Sequence, residues 1–239
     1  MFNTKEKQMN KQKNTTGWLL IFAAITFWIS WFLMPDPGTT DTQYILSAVK
    51  EVRMSVLCSV IIQIISSVLY VIALFKLAQF IHPLKKIILT GMVLFCIGAM
   101  GLCADAFFHL LAYFMTDSSV NIQQDVIRVM EFMQTAGVIF LIPLLLPLFI
   151  GSLVVAIGLQ RRMMISKTPT VLFITAFVIG IIGGVSTNAM HYTIPHLSII
   201  TLGVFACGQA WIGIEFIKAS GKTLRKKTGN RKLITAIYN

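Results

Sequence analysis

The chain has 239 residues, of which 56% are hydrophobic and only 12% charged, with a formal net charge of +11 and a mean hydropathy of +0.79. So apolar a composition excludes the soluble globular classes. Long, almost continuously apolar stretches exclude a β-barrel, whose spans read as about ten residues of alternating polarity. The basic residues flank the apolar stretches, where they set orientation and attract anionic lipid, so the charge points to the bilayer and not to nucleic acid.

A basic segment, residues 1–16, carries Lys5, Lys7, Lys11 and Lys13 and leads into a first span over about 18–34, stopped by Pro35, Asp36, Pro37 and Gly38. A lysine-rich start before an apolar run also describes a signal peptide. The length of this run and the lack of a small-x-small site before Pro35 favour a retained anchor. The second span covers about 54–74 and the third 87–108. The fourth, 138–159, contains Pro143 and Pro147, which remove backbone donors and release the carbonyls of Ile139 and Pro143. The fifth, 171–190, carries Gly180 and Gly184 with Gly183 beside them, a small-xxx-small pair that admits a neighbouring helix. The sixth covers 197–217 and is followed by a basic tail, 219–239, able to meet anionic headgroups. Cys58, Cys96, Cys103 and Cys207 fall within these spans without CxxC spacing and are read as small packing residues.

With the amino terminus assigned to the cytoplasm, every one of the 20 Lys and Arg except Lys50, Arg53 and Arg128 falls on the cytoplasmic side. The expected fold is therefore an all-α bundle of six transmembrane helices over residues 17–218, in the cell membrane, with both termini cytoplasmic. The third and fourth helices are expected to project beyond the bilayer as a hairpin. Phe95, Gly98 and Asp105 share their offsets with Phe205, Gly208 and Glu215 on a span of opposite direction, as an inverted repeat of three helices would require.

Counting about 20 residues inward from each cytoplasmic basic residue places Arg53, Asp105, His109, His191 and His196 at one outer level, joined by Asn188. Glu131 and Gln134 lie slightly above. Asp105 and His109, four apart, share a helix face with Gly98 and Gly101, which directs that face into the bundle. A carboxylate beside hydrocarbon needs a partner, and Arg53 or His109 would supply one.

Three functional readings follow. The first is a pocket on the extracytoplasmic side, built from Asp105, His109, Arg53, Glu131 and Asn188, that binds or moves a small solute, ion or lipid-like molecule, with His109 sensitive to protons. The second is a metal-dependent membrane hydrolase in which Asp105, His109, His191 and His196 hold zinc, although their spacing matches no zinc signature. The third is a non-catalytic accessory subunit in which this layer is purely structural. Neither a GxSxG nor a GxxxxGK[ST] pattern occurs.

Overall fold

The computed structural model describes residues 2–35, 41–81, 83–120, 124–190 and 196–237, with side chains described except at 2–7, 138, 184–190 and 222–237. The chain is all-helical over these residues: α1 (Phe2–Phe32), α2 (Thr42–Glu51), α3 (Arg53–Phe80), α4 (Lys86–Met115), α5 (Gln124–Phe132), α6 (Val138–Gln160), α7 (Thr168–Met190) and α8 (Leu197–Ile237). A π-helical turn, Met133–Gly137, joins α5 to α6 without a break. Five stretches are long and apolar enough to cross a membrane: Gln8–Phe32, Arg53–Phe80, Lys86–Met115, Ile139–Gln160 and Leu197–Gly221. The apolar stretch Thr168–Gly183 is shorter. These helices fit a multi-pass, membrane-embedded protein.

The six long helices form a closed ring in chain order. α1 packs on α3, α3 on α4, α4 on α6, α6 on α7, α7 on α8, and α8 returns to α1. Each contact is antiparallel, and each has its own chemistry. Between α3 and α1 it is polar: the hydroxyls of Ser55, Ser59 and Ser66 donate to the carbonyls of Leu33, Ser30 and Ala23 at 2.7, 2.6 and 2.9 Å. As the number rises along α3 it falls along α1, so these three bonds fix the register of the pair.

Between α4 and α6 the contact is made by glycine. A Cβ at Gly98 would lie 2.1 Å from the backbone nitrogen of Leu148, one at Gly101 2.4 Å from the carbonyl oxygen of Leu144, and one at Gly151 2.3 Å from the nitrogen of Phe95. Backbone meets backbone along this seam, which is what small residues permit between helices that gain nothing from hydrophobic association in lipid. The Gly180 region, singled out by its sequence spacing, is looser. A Cβ at Gly180 would meet only the methyl of Thr201 at 3.4 Å, and one at Gly183 the flexible end of Leu197. α1 and α8 close the ring where Gly17 and Gly213 face each other and where Trp28 Nε1 donates to the carbonyl of Ile199 at 3.3 Å.

Aromatic rings fill the centre. Phe205 of α8 contacts Phe27 of α1, Phe149 of α6 and Phe173 of α7 at centroid separations of 5.9, 4.6 and 5.1 Å. Tyr70 of α3 contacts Phe27 and Phe95 at 6.3 and 5.1 Å. Such pairs contribute about 0.5–1.5 kcal/mol each beyond the area they bury. Together they draw all six helices onto one core.

A second apolar cluster caps one end of the ring. The helix α2 starts at Asp41, whose carboxylate accepts the backbone N–H groups of Gln43 and Tyr44 at 2.9 and 3.4 Å, a side-chain N-cap. Its Leu46 and Val49 are buried against Val56, Ala112, Met115, Met130 and Met133. At about 1.5 Å per residue, α4 and the joined α5–α6 run are both longer than a bilayer core of about 30 Å, so their ends stand beyond it and carry this cap. Lys76, Lys85, Lys86, Arg161, Arg162 and Lys167 lie toward the other end of the ring.

The glycine seam gives a direct expectation. Gly98→Val should lower the melting temperature in detergent markedly, since added core volume against backbone costs about 1–3 kcal/mol. Gly221→Ala, where an added Cβ meets nothing within 4 Å, should melt at or slightly above the wild-type temperature.

Candidate functional site

Beneath the cap, three polar side chains meet among apolar neighbours. Asp105 of α4 is 4% exposed and Gln63 of α3 is 1% exposed. Gln63 Nε2 donates to Asp105 Oδ2 at 2.6 Å, and Gln63 Oε1 lies 3.3 Å from His109 Nδ1. His109 Nδ1 is 3.8 Å from Asp105 Oδ2, and the His109 side chain is 19% exposed. The bridging amide decides the histidine tautomer. With the Gln63 nitrogen on Asp105, its oxygen faces His109, whose Nδ1 then carries the proton. Nε2 is left as the acceptor nitrogen, and it has no hydrogen bond among the described residues.

Trp31 of α1 stands edge-on to the His109 ring, with centroids 5.9 Å apart at 90°. Its indole N–H is buried and has no partner among the described residues. An unpartnered indole N–H and a partly exposed histidine thus stand on the same side of a buried carboxylate group.

Of the other residues expected in this layer, those that are described lie elsewhere. Arg53 pairs with Asp117, not Asp105; its Nε donates to the carbonyl of Tyr113 at 3.2 Å and its guanidinium stacks 4.2 Å from the Tyr113 ring centroid. Gln63, which does meet Asp105, is about 15 Å further along α3 at 1.5 Å per residue. Glu131 is exposed on α5, where its carbonyl accepts the Thr135 hydroxyl at 2.7 Å. Gln134 accepts from Thr42 of α2 at 3.3 Å. His196 is exposed at the start of α8 with φ of 62°. His191 and the Asn188 side chain lie outside the described residues. Among the described residues no three of His, Cys, Asp and Glu are placed to hold one metal ion.

A second buried polar chain crosses the middle of the ring. The Tyr70 hydroxyl donates to Gln209 Oε1, Gln209 Nε2 donates to Ser152 Oγ at 3.3 Å, and the Ser152 hydroxyl donates to the Leu148 carbonyl at 2.7 Å. It links α3, α8 and α6 with each member satisfied. Sequence reasoning missed both Gln63 and Gln209, although each is an amide within an apolar span and so carries a visible signal.

Compared with protein families, with curated proteins and with solved structures, the chain finds no match.

Asp117, past the end of the Lys86–Met115 stretch, gives a pH expectation. The Ser119 hydroxyl and backbone N–H, together with Arg53, hold the Asp117 carboxyl down at about 2 against an ordinary 3.8. A lowered folded value stabilises the protein above the ordinary carboxylate range and loses that effect as pH falls through about 2. Asp117→Asn should therefore melt slightly below wild type at pH 6, the difference narrowing below pH 3.8 and vanishing near pH 2. Paired melts across this range check it, and a gap independent of pH would contradict the assignment.

Proposed function

We propose that this chain is a six-span protein of the cell membrane with both termini in the cytoplasm. In this reading the Asp105, Gln63 and His109 cluster, with Trp31, is an extracytoplasmic-side site that binds or moves a small polar solute or ion. The observation that carries it is the amide of Gln63 bridging a buried carboxylate to a histidine, at 2.6 and 3.3 Å, from two different helices. Ionisable groups inside apolar bundles are costly, and where they occur they commonly mark a substrate or proton pathway. Asp105 would provide the anchor for a cationic or hydrogen-bond-donating group. His109, partly exposed, would exchange the proton.

The six-span topology is supported by the even ring, which alternates direction and brings α8 back antiparallel to α1, and by the gathering of basic residues toward one end. Reporter fusions test it. A fluorescent protein fused to either terminus should fold and fluoresce in cells, and alkaline phosphatase at either terminus should be inactive. Phosphatase activity at one terminus alone would leave an odd number of spans.

For the site, Asp105→Asn and His109→Ala should stay folded in detergent. Against a panel of small cations, amines and polar solutes, wild-type protein should show a thermal shift with at least one class, and both variants should lose it. If both variants instead fail to fold, the cluster is a structural brace. If wild type responds to no panel member, the binding role loses its support.

A further inference from the structure

At the opposite end of the ring from the cap, a cavity of about 490 Å³ opens between the α6–α7 connection and α8, lined by Gln160, Met163, Met164, Ser166, Lys167 and Glu215. Glu215 is held in place by donors. Its Oε2 accepts the Ser166 backbone N–H at 2.6 Å, and its Oε1 accepts the Ser166 hydroxyl and, at 2.9 Å, the indole N–H of Trp211. An ionised carboxylate has about four acceptor positions, so capacity remains for one more donor. Lys167 lines the same cavity and makes no ion pair with Glu215. The cavity therefore presents one negative and one positive group that do not neutralise each other.

Its surroundings place it at headgroup depth. Trp211 keeps its N–H toward Glu215 while its ring is 39% exposed on the apolar flank of α8, the disposition that indole takes at a membrane interface. Met163 is 95% exposed and held with φ of 54°, a left-handed turn that a side-chain-bearing residue adopts at some cost. That turn presents an apolar side chain outward between Arg162 and Lys167, as suits a loop lying against acyl chains.

We propose that this cavity binds the headgroup of an aminophospholipid, with the primary ammonium on Glu215 and the phosphate on Lys167. Two groups of opposite charge that line one cavity without pairing match the two charges of a phosphoethanolamine group. A choline headgroup has no N–H to donate to Glu215, and an anionic glycerol headgroup has no cation to place there. The lipid flanks supplied by Met163 and Trp211 select a lipid over a soluble headgroup.

Native mass spectrometry of the purified full chain, titrated with phosphatidylethanolamine, phosphatidylcholine or phosphatidylglycerol, tests this. The ethanolamine lipid should be retained most tightly. Glu215→Gln should weaken it about tenfold, the expected effect of losing one charge-assisted hydrogen bond, and leave the other two lipids unchanged. Lys167→Gln, at an exposed position, should weaken all three phosphate-bearing lipids together. Equal retention of the three lipids by wild type, preference for the glycerol lipid, or an ethanolamine preference that survives in Glu215→Gln would each overturn the proposal. So would an unchanged titration in Lys167→Gln. Soluble phosphoethanolamine should bind far more weakly than the lipid, and equal binding would overturn the lipid as its source.

Discussion

A polar side chain among apolar helices has no water to fall back on, so it must find its partner inside the bundle. The helix α3 carries more buried polar side chains than any other helix among the described residues, and the architecture follows from where they go. Ser55, Ser59 and Ser66 reach the carbonyls of α1, Ser67 reaches the carbonyl of Ala99 on α4, Gln63 reaches Asp105, and Tyr70 reaches Gln209 on α8. Each bond has a direction and a length, so together they set α3 against three neighbours in one register. Hydrophobic contact alone would allow these helices to slide. Once α3 is placed, Tyr70 meets Phe27 and Phe95, and the aromatic centre assembles around it.

The α4–α6 seam works by the opposite means. With backbone against backbone at Gly98, Gly101 and Gly151, it contains few side-chain atoms that can adjust, and the pair behaves as one stiff unit. Stiffness matters because the end of α4 packs against α2 and α6 continues through the π-helical turn into α5. The buried contact of Leu46, Val49, Met115, Met130 and Met133 then acts as a roof over Asp105 and His109. The Arg53–Asp117 pair fastens the start of α3 to the end of α4 at the same level. The polar cluster is thus shielded from above by apolar packing and held laterally by α1, through Trp31, and by α3, through Gln63.

The helical class and most of the spans were legible because about 20 apolar residues in a row admit few other readings. Asp105 and His109 were legible as a pair because four-residue spacing puts them on one face, and the glycines beside them marked that face as inward. Arg53 was expected among their partners on counted depth, whereas the structure pairs it with Asp117. α4 continues to Met115, so Asp117 was available to Arg53 further out. Gln63 went unread because a neutral amide adds nothing to a charge count, although it is the group that touches both partners. The helix α2 was hidden by its shortness, yet its Asp41 cap and the spacing of Leu46 and Val49 are present in the sequence. The tight glycine contact fell on α4 and α6 and not on α7, because sequence spacing shows where a helix can be approached but not which neighbour approaches it.

The repeated offsets of Phe95, Gly98 and Asp105 against Phe205, Gly208 and Glu215 acquire a more limited meaning in three dimensions. The ring does place α4 and α8 in opposite directions, each at the end of a run of three long helices. The side chains at matching positions nevertheless do different things. Gly98 admits the backbone of α6, the next helix in the ring, whereas Gly208 admits the ring of Phe173 on α7, the preceding one. What the offset preserves is the placing of the two acids toward opposite ends. Asp105 is buried under the cap, bridged by an amide to a histidine. Glu215 is oriented by a backbone N–H, a hydroxyl and an indole at the edge of an open cavity. Between them stands the aromatic centre, crossed by the Tyr70, Gln209 and Ser152 chain, whose hydrogen bonds all end within the protein. The two carboxylates therefore lie toward opposite ends of the bundle, with the aromatic centre and its polar chain between them.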